Sequence, residues 1–102
     1  MIVQLVRFRS RLSAEAVQAV YEARAPQYRT MPGLLQKYYL KFPATQEHGA
    51  VLFWQSEEAV TQFEDSELAR TIPSAYQVQG EPDKTTAEVV MTLRPDRSPV
   101  RI

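Results

Sequence analysis

PGLLQKYYLKFPATQEHGAVLFWQSEEAVTQF, residues 32–63, is the stretch that decides the fold. Its apolar and aromatic residues 34–42 are followed by a polar segment, residues 43–48, and by a second apolar segment, residues 49–55. Two such segments joined by a short polar connection are typical of a β-hairpin. Ser56 suits the N-cap of a helix, because its side chain can accept a hydrogen bond from a free amide of the first turn. The stretch therefore predicts strand, turn, strand and helix.

The N-terminal third supplies a further strand and helix. Residues 2–8 carry apolar side chains on both parities, which indicates a central strand covered on both faces. Ser13 can cap the helix that follows. Pro26 has no amide hydrogen, so we expect a kink or break there, and the Pro32-Gly33 turn ends the helix.

After the hairpin and its helix, the sequence predicts one more strand. Ser66 can begin a short helical segment, and the run QVQGEPDKT, residues 77–85, is expected to be a loop. Residues 85–93 are rich in β-branched side chains and are predicted to form the fourth strand. We expect a single domain over residues 1–95 and a C-terminal tail over residues 96–102. The element order is then βαββαβ.

Composition excludes several classes of function. The chain has 102 residues, 12 of them Lys or Arg and 12 Asp or Glu, and no cysteine. It is long enough for one core, and its balanced charge provides no basic surface for nucleic acid or for an acidic membrane. Without cysteine there can be no disulfide or thiolate metal site. The first ten residues lack the features of a signal peptide, so we expect a cytoplasmic protein.

The simplest arrangement of these elements is a ferredoxin-like α+β sandwich, with a four-stranded antiparallel sheet and both helices on one face. The opposite face of the sheet is then uncovered, although strands one to three carry apolar side chains on both parities. Apolar surface of that extent predicts a homodimer in which two sheets pack face to face, a dimeric α+β barrel.

Three segments, PGLLQKYYL, HGAVLFWQSEEAVTQF and TTAEVVMTLRP, resemble the YdhR-like mono-oxygenases of the dimeric α+β barrel superfamily. The resemblance covers most of residues 2–95. It implies oxidation of a small phenolic or quinol-like aromatic by dioxygen, with neither a metal nor a flavin cofactor. Haem-degrading members of the superfamily use a Trp and a His from the second-helix region. The positions aligned with those two are Phe63 and Pro73 here, which disfavours haem degradation.

Lys37 and Tyr39 are the candidate catalytic residues. Lys37 lies in an otherwise apolar and aromatic strand, where burial would lower its pKa and make it a base or an anchor for a phenolate. The alternative is a lysine whose stem packs on a neighbour while its ammonium reaches the rim of the sheet. Tyr39 shares the parity of Lys37 and could complete the polar edge of a pocket, whereas Tyr38 points to the opposite face. Parity alone does not say which face holds the pocket.

Three further residues are candidates for substrate binding. Trp54 could form an aromatic wall of the pocket, or it could be an ordinary core residue. Arg24 and Tyr28 lie one helical turn apart near Pro26 and could clamp a ligand, although capping or solvent-exposed roles fit them equally well. His48, the single histidine, is expected in an exposed turn and forms no recognisable metal site.

Three functions are compatible with this sequence. The first is a cofactor-independent mono-oxygenase for a small aromatic substrate. The second is a non-catalytic dimer that binds a small hydrophobic molecule, and the third is a structural interaction module. A large apolar cavity with a few polar groups would favour the first two, and oxygen consumption separates those two from each other.

Overall fold

The chain forms one antiparallel sheet with helices on one of its faces. The computed structural model describes residues 1–94, so the predicted tail over residues 96–102 lies outside the described residues. The strands are β1 (Ile2–Ser10), β2 (Leu34–Phe42), β3 (Glu47–Trp54) and β4 (Val78–Glu88). The helices are α1 (Ala14–Arg29), α2 (Glu57–Glu64), α3 (Glu67–Arg70) and α4 (Ile72–Ala75). The strand order is β2-β3-β1-β4, which confirms the predicted ferredoxin-like α+β fold.

Strand β1 is central, as its sequence predicts. It pairs with β3 on one side and with β4 on the other, so that Ile2 lies between Trp54 and Glu88. Its even-numbered residues face the helices and include the buried side chains of Gln4 and Phe8. The odd-numbered residues point to the other face of the sheet, which no described element covers.

The predicted helix starts are confirmed by hydrogen bonds. The side chains of Ser13, Ser56 and Ser66 each accept a bond from the amide three residues further on. Helix α1 ends at Arg29, just before the Pro32-Gly33 turn, but it is not broken at Pro26. Pro26 lies on the exposed side of the helix, where water can satisfy the carbonyl that its missing amide would have bonded.

The prediction for the C-terminal strand is wrong in its boundaries. Residues 78–85 were expected in a loop but are part of β4, and this strand ends at Glu88 instead of continuing to residue 93. Proline is tolerated because β4 is an edge strand, and a register shift between Arg7 and Arg9 accommodates residues 80–82 as a bulge. The strand stops where its partner strand does, because β1 begins at Ile2, which pairs with Glu88, and the Val89 amide then donates to the Met1 carbonyl.

Two groups of buried apolar residues lie between the sheet and the helices. One is built around Leu52 and Trp54 and packs against α2, whereas the other contains Phe8, Val17 and Tyr76 near the opposite end of the sheet. These groups leave a space between them under α1. This space is the candidate site.

Candidate active site

The space between sheet and helices is a cavity of about 420 Å³. Pairing places Val6 beside Ala50 and Ala50 beside Tyr39, so small and apolar side chains form the middle of its floor. Six aromatic residues are part of the lining: Phe8, Tyr21, Tyr28, Tyr39, Phe63 and Tyr76. The cavity therefore has a volume and a lining that suit a small aromatic molecule.

Lys37 is a polar group at one end of this cavity, in the same row of the sheet as Leu52 and Gln4. Its Nζ lies 3.3 Å from the ring centroid of Tyr28 and 4.6 Å from that of Tyr39. No carboxylate in residues 1–94 forms a salt bridge with it. Burial of the amine, with a smaller contribution from the positive charge of Arg24, lowers the pKa of Lys37 to about 7. Near neutral pH this side chain can both accept and donate a proton.

Tyr39 provides a second polar group beside Lys37. Its ring stacks on that of Tyr21 at 4.4 Å between centroids, which fixes its direction. The hydroxyl is buried and has no hydrogen-bond partner in the described part of the chain. Burial raises the pKa of Tyr39 to about 12, so this hydroxyl keeps its proton and can donate it in a hydrogen bond. A buried donor of this kind, which has no partner, can donate a hydrogen bond to an acceptor on a ligand.

Tyr28 also lies at this end, and burial raises its pKa. The structure thus brings together three of the five predicted site residues, Lys37, Tyr39 and Tyr28, on the side of the sheet that faces the helices. Sequence parity grouped Lys37 with Tyr39 correctly. The face to which they point is decided by the packing of α1, which only the fold reveals.

Arg24 does not reach the cavity wall. Its guanidinium donates to the carbonyl of Leu68 at 2.7 Å and to Oγ1 of Thr71 at 3.2 Å, so it joins α1 to the region of α3 and α4. Its charge nevertheless reaches the site, because it helps to lower the pKa of Lys37. Arg24 therefore connects α1 to the region of α3 and α4 and contributes positive charge near Lys37. It does not line the cavity, as the predicted clamp would.

Trp54 does not form an aromatic wall either. Its side chain is 0 % exposed, and its indole N–H donates to Oε1 of Gln4 at 2.8 Å. Phe63, whose ring centroid is 5.2 Å from that of Trp54, separates it from the cavity. The end of β3 lies directly below α2, and this position makes Trp54 a core residue.

His48, expected in an exposed turn, lies inside β3 with its side chain on the cavity. Its ring centroid is 6.1 Å from that of Phe8. The parity that it shares with Ala50 and Leu52 is the signal that could have found it, but the strand was expected to begin at residue 49. Tyr21 and Tyr76 were also missed, because the packing of α1 and of the segment after α4 on the sheet brings them to the cavity, and no local pattern reports that packing.

Two further observations concern the described residues as a whole. Residues 1–94 contain no group of three or more His, Asp or Glu side chains placed to hold a metal ion. None of the helices in that range is long and apolar enough to cross a membrane.

No model of a known protein family matches the chain, and no curated protein matches it. Solved structures do resemble it. SnoaB, a cofactor-independent oxygenase from Streptomyces nogalater, has a TM-score of 0.73 at 13% identity over 90% of this chain and 95% of its own. Rv0793 from Mycobacterium tuberculosis has a TM-score of 0.75 at 14% identity, covering 91% and 98% of the two chains.

A third similar structure is an antibiotic biosynthesis monooxygenase, with a TM-score of 0.70 at 14% identity over 89% of this chain and 100% of that one. At such identities the likeness concerns the backbone arrangement. The chain therefore has the α+β fold found in these three structures.

Proposed function

We propose that this protein is a cofactor-independent mono-oxygenase that oxidises a small phenolic or quinol-like aromatic with dioxygen, as its resemblance to the YdhR-like proteins implies. The observation that carries the proposal is the pairing of Lys37, which has no acidic partner among the described residues, with the unsatisfied hydroxyl of Tyr39 at one end of an aromatic cavity. The similarity of the fold to a cofactor-independent oxygenase supports it.

The chemistry requires a substrate that can itself reduce dioxygen. The neutral amine of Lys37 accepts the phenolic proton, and the resulting ammonium holds the phenolate while Tyr39 donates a hydrogen bond to the same oxygen. The phenolate gives an electron to dioxygen, and recombination forms a carbon–oxygen bond at the ring carbon opposite the phenolic oxygen. The peroxide anion takes up a proton while the Lys37 ammonium releases the one that it accepted, which gives a neutral hydroperoxide and restores the neutral amine. The hydroperoxide so formed loses water to give a quinone. One phenol and one dioxygen thus become one quinone and one water.

The test is oxygen uptake with a panel of naphthols and other phenols that carry hydrogen at the carbon opposite a hydroxyl group, measured in chelator-treated buffer. We expect uptake above the rate of buffer alone and one quinone for each dioxygen consumed. Uptake at the buffer rate for every member of the panel would contradict the proposal. Uptake with release of hydrogen peroxide and no oxygen transfer to carbon would show an oxidase instead.

The activity should depend on pH through Lys37. The reactive complex of ammonium and phenolate forms from a neutral amine and a neutral phenol, because the two pairs contain the same number of protons. Free Lys37 must therefore be neutral and the free phenol un-ionised for productive binding. We therefore expect kcat/KM to rise about tenfold per pH unit up to about pH 7, the pKa of Lys37, and to be level above it until the free phenol ionises. A profile level from pH 5 to pH 8 would exclude Lys37 as the proton acceptor.

The second candidate function, binding of a small hydrophobic molecule without catalysis, is supported by the same cavity. It predicts that naphthols raise the melting temperature while oxygen uptake stays at the buffer rate. The cavity favours both of these functions over a purely structural interaction module, which needs none.

We also propose that the protein is a homodimer that uses the face of the sheet opposite the helices. Leu5 and Tyr38 are 41 % and 42 % exposed on this face, where Tyr38 packs edge-on against Phe53. Apolar and aromatic side chains on neighbouring strands form a continuous surface that a second copy would bury.

Leu5→Lys should separate such a dimer, because it places a charge at the centre of the buried surface. Sedimentation at micromolar concentration is expected to give a dimer for the natural protein and a folded monomer for Leu5→Lys. Arg9→Lys, which preserves the charge at another position of β1, serves as the control. A natural protein that sediments as a monomer would contradict the proposal.

A further inference from the structure

His48 occupies the end of the cavity that lies away from Lys37. In the sheet, Lys37 pairs with Leu52, Tyr39 with Ala50 and Lys41 with His48. Along β3, residues 52, 50 and 48 therefore follow one another on the face that lines the cavity, two residues apart. Four residues of strand separate the two ends by roughly 13 Å at the backbone, and the side chains of Lys37 and His48 both line the cavity.

A flat aromatic molecule lying over Ala50 would have one edge at Lys37 and the opposite edge at His48. Val6 and Ala50 offer a smooth floor between the two residues. With the phenolic oxygen held at Lys37, the ring position across from it points to the end where His48 lies. In the reaction proposed above, this is the carbon that receives oxygen.

The imidazole of His48 is not engaged by other groups. No hydrogen bond or salt bridge to its side chain is formed within residues 1–94, and its closest aromatic neighbour is Phe8. Lys41 on β2 is paired with His48 in the sheet. The other titratable and charged groups that line the cavity with His48 are Tyr21, Tyr28, Lys37, Tyr39, Glu64, Arg70, Tyr76, Glu81 and Lys84. Burial and, to a smaller extent, the charge of Lys41 lower the pKa of His48, so the imidazole is neutral at pH 7 and can accept a proton.

We propose that His48 is a second catalytic base, which removes the carbon-bound proton of the hydroperoxide and so releases the quinone. This step rests on the proposed function. The electron pair of the C–H bond becomes the second bond of the new carbonyl, the O–O bond breaks, and hydroxide leaves. Hydroxide then takes the proton back from the imidazolium and forms water. Lys37 and His48 thereby divide the reaction, one acting on the phenolic oxygen and the other on the reacting carbon.

His48→Gln tests the step, because the amide preserves polarity and approximate size but does not act as a base. We expect this variant to continue consuming dioxygen while an organic hydroperoxide accumulates, and we expect enzymatic quinone formation to fall about a hundredfold. In the natural protein, replacing the reacting hydrogen by deuterium should slow quinone formation. Quinone formation at the natural rate would overturn the proposal. So would loss of oxygen uptake in a folded His48→Gln variant, since His48 would then act before the hydroperoxide forms.

A second measurement does not depend on turnover. The chain has one histidine, so its imidazole gives a single set of NMR resonances. An unreactive ligand, such as a naphthol blocked with a methyl group at the reacting carbon, should shift those resonances on binding. If the resonances move but the natural protein takes up no dioxygen, the proposed function fails and the position of His48 holds. If dioxygen is consumed but bound ligand leaves the resonances unchanged, the assignment of His48 is overturned.

Lys41→Met provides a matched variant. Removing the neighbouring charge should raise the pKa of His48, and the pH at which hydroperoxide breakdown is half-maximal should move upwards by the same amount. The rate at high pH should not change. A breakdown profile that does not move, although the NMR titration of His48 does, would contradict the proposal.

Discussion

Replacing Lys37 by Met is expected to lower kcat/KM for oxygen-dependent quinone formation by about a thousandfold, within the range of 10²–10⁴ found for positioned general bases. Methionine preserves much of the length and apolar contact of the lysine stem but can neither accept the phenolic proton nor hold the phenolate. The measurement is initial oxygen uptake at pH 7.5. The matched control is Lys41→Met, which removes a lysine from the same strand, four residues away, and should preserve oxygen uptake. A Lys37→Met variant with more than a tenth of the natural rate would refute the role of Lys37.

Unfolding experiments show whether such a loss reflects chemistry or misfolding. The pKa of Lys37 is about 7 in the folded chain and 10.5 in the unfolded one, so between these values the unfolded chain binds more protons. The free energy of unfolding should therefore rise with pH in this window, by about 2 kcal/mol from pH 7 to 9. Lys37→Met lacks this slope and should be more stable at pH 7 by an amount of that order. A variant less stable than the natural protein at pH 7 would mean that the lysine is not held in the cavity.

Gly49→Ala is expected to lower the free energy of unfolding by about 3 kcal/mol, the upper end of the usual cost of overpacking. A Cβ at this position would overlap the carbonyl oxygen of Val6 and would lie 3.1 Å from the ring of Phe42. Relief requires β1 and β3 to separate at the centre of the sheet. The measurement is urea denaturation followed by circular dichroism.

Gly80→Ala is the control for this substitution. A Cβ at Gly80 meets nothing within 4 Å, although the positive φ of +68° is strained for alanine. Its cost should be about 1 kcal/mol, from the left-handed backbone alone. Equal losses for the two variants would contradict the argument from close packing between β1 and β3.

Sequence patterns were sufficient for the order and pairing of the elements. The hairpin of residues 34–54 and the serine caps depend on local alternation and local hydrogen bonds, which the chain carries without reference to its tertiary structure. The end of β4 could not be predicted in this way. Residues 85–93 have strand composition throughout, but a strand extends only as far as its neighbour does, and β1 begins at Ile2.

Part of the candidate site could also be predicted, because it depends on local alternation along one strand. Alternation along β2 placed Lys37 and Tyr39 on one face, and this grouping is correct. Trp54 and His48 lie on the cavity side of the same strand β3. Which of them lines the cavity depends on where α2 covers the sheet, since it buries Trp54 and leaves His48 beside open space. Helix placement is a property of the tertiary structure, and no local pattern reports it.

The buried indole at the end of β3 has a practical consequence for spectroscopy. Because the sequence contains a single tryptophan, all indole emission comes from one fully enclosed site, and it should be blue-shifted in the native state. Phe63 and Gln4 both contact this fluorophore and line the cavity, so a quinone formed there would quench it by energy transfer without touching it. Product formation and release could then be followed in real time by stopped-flow fluorescence, with no external dye.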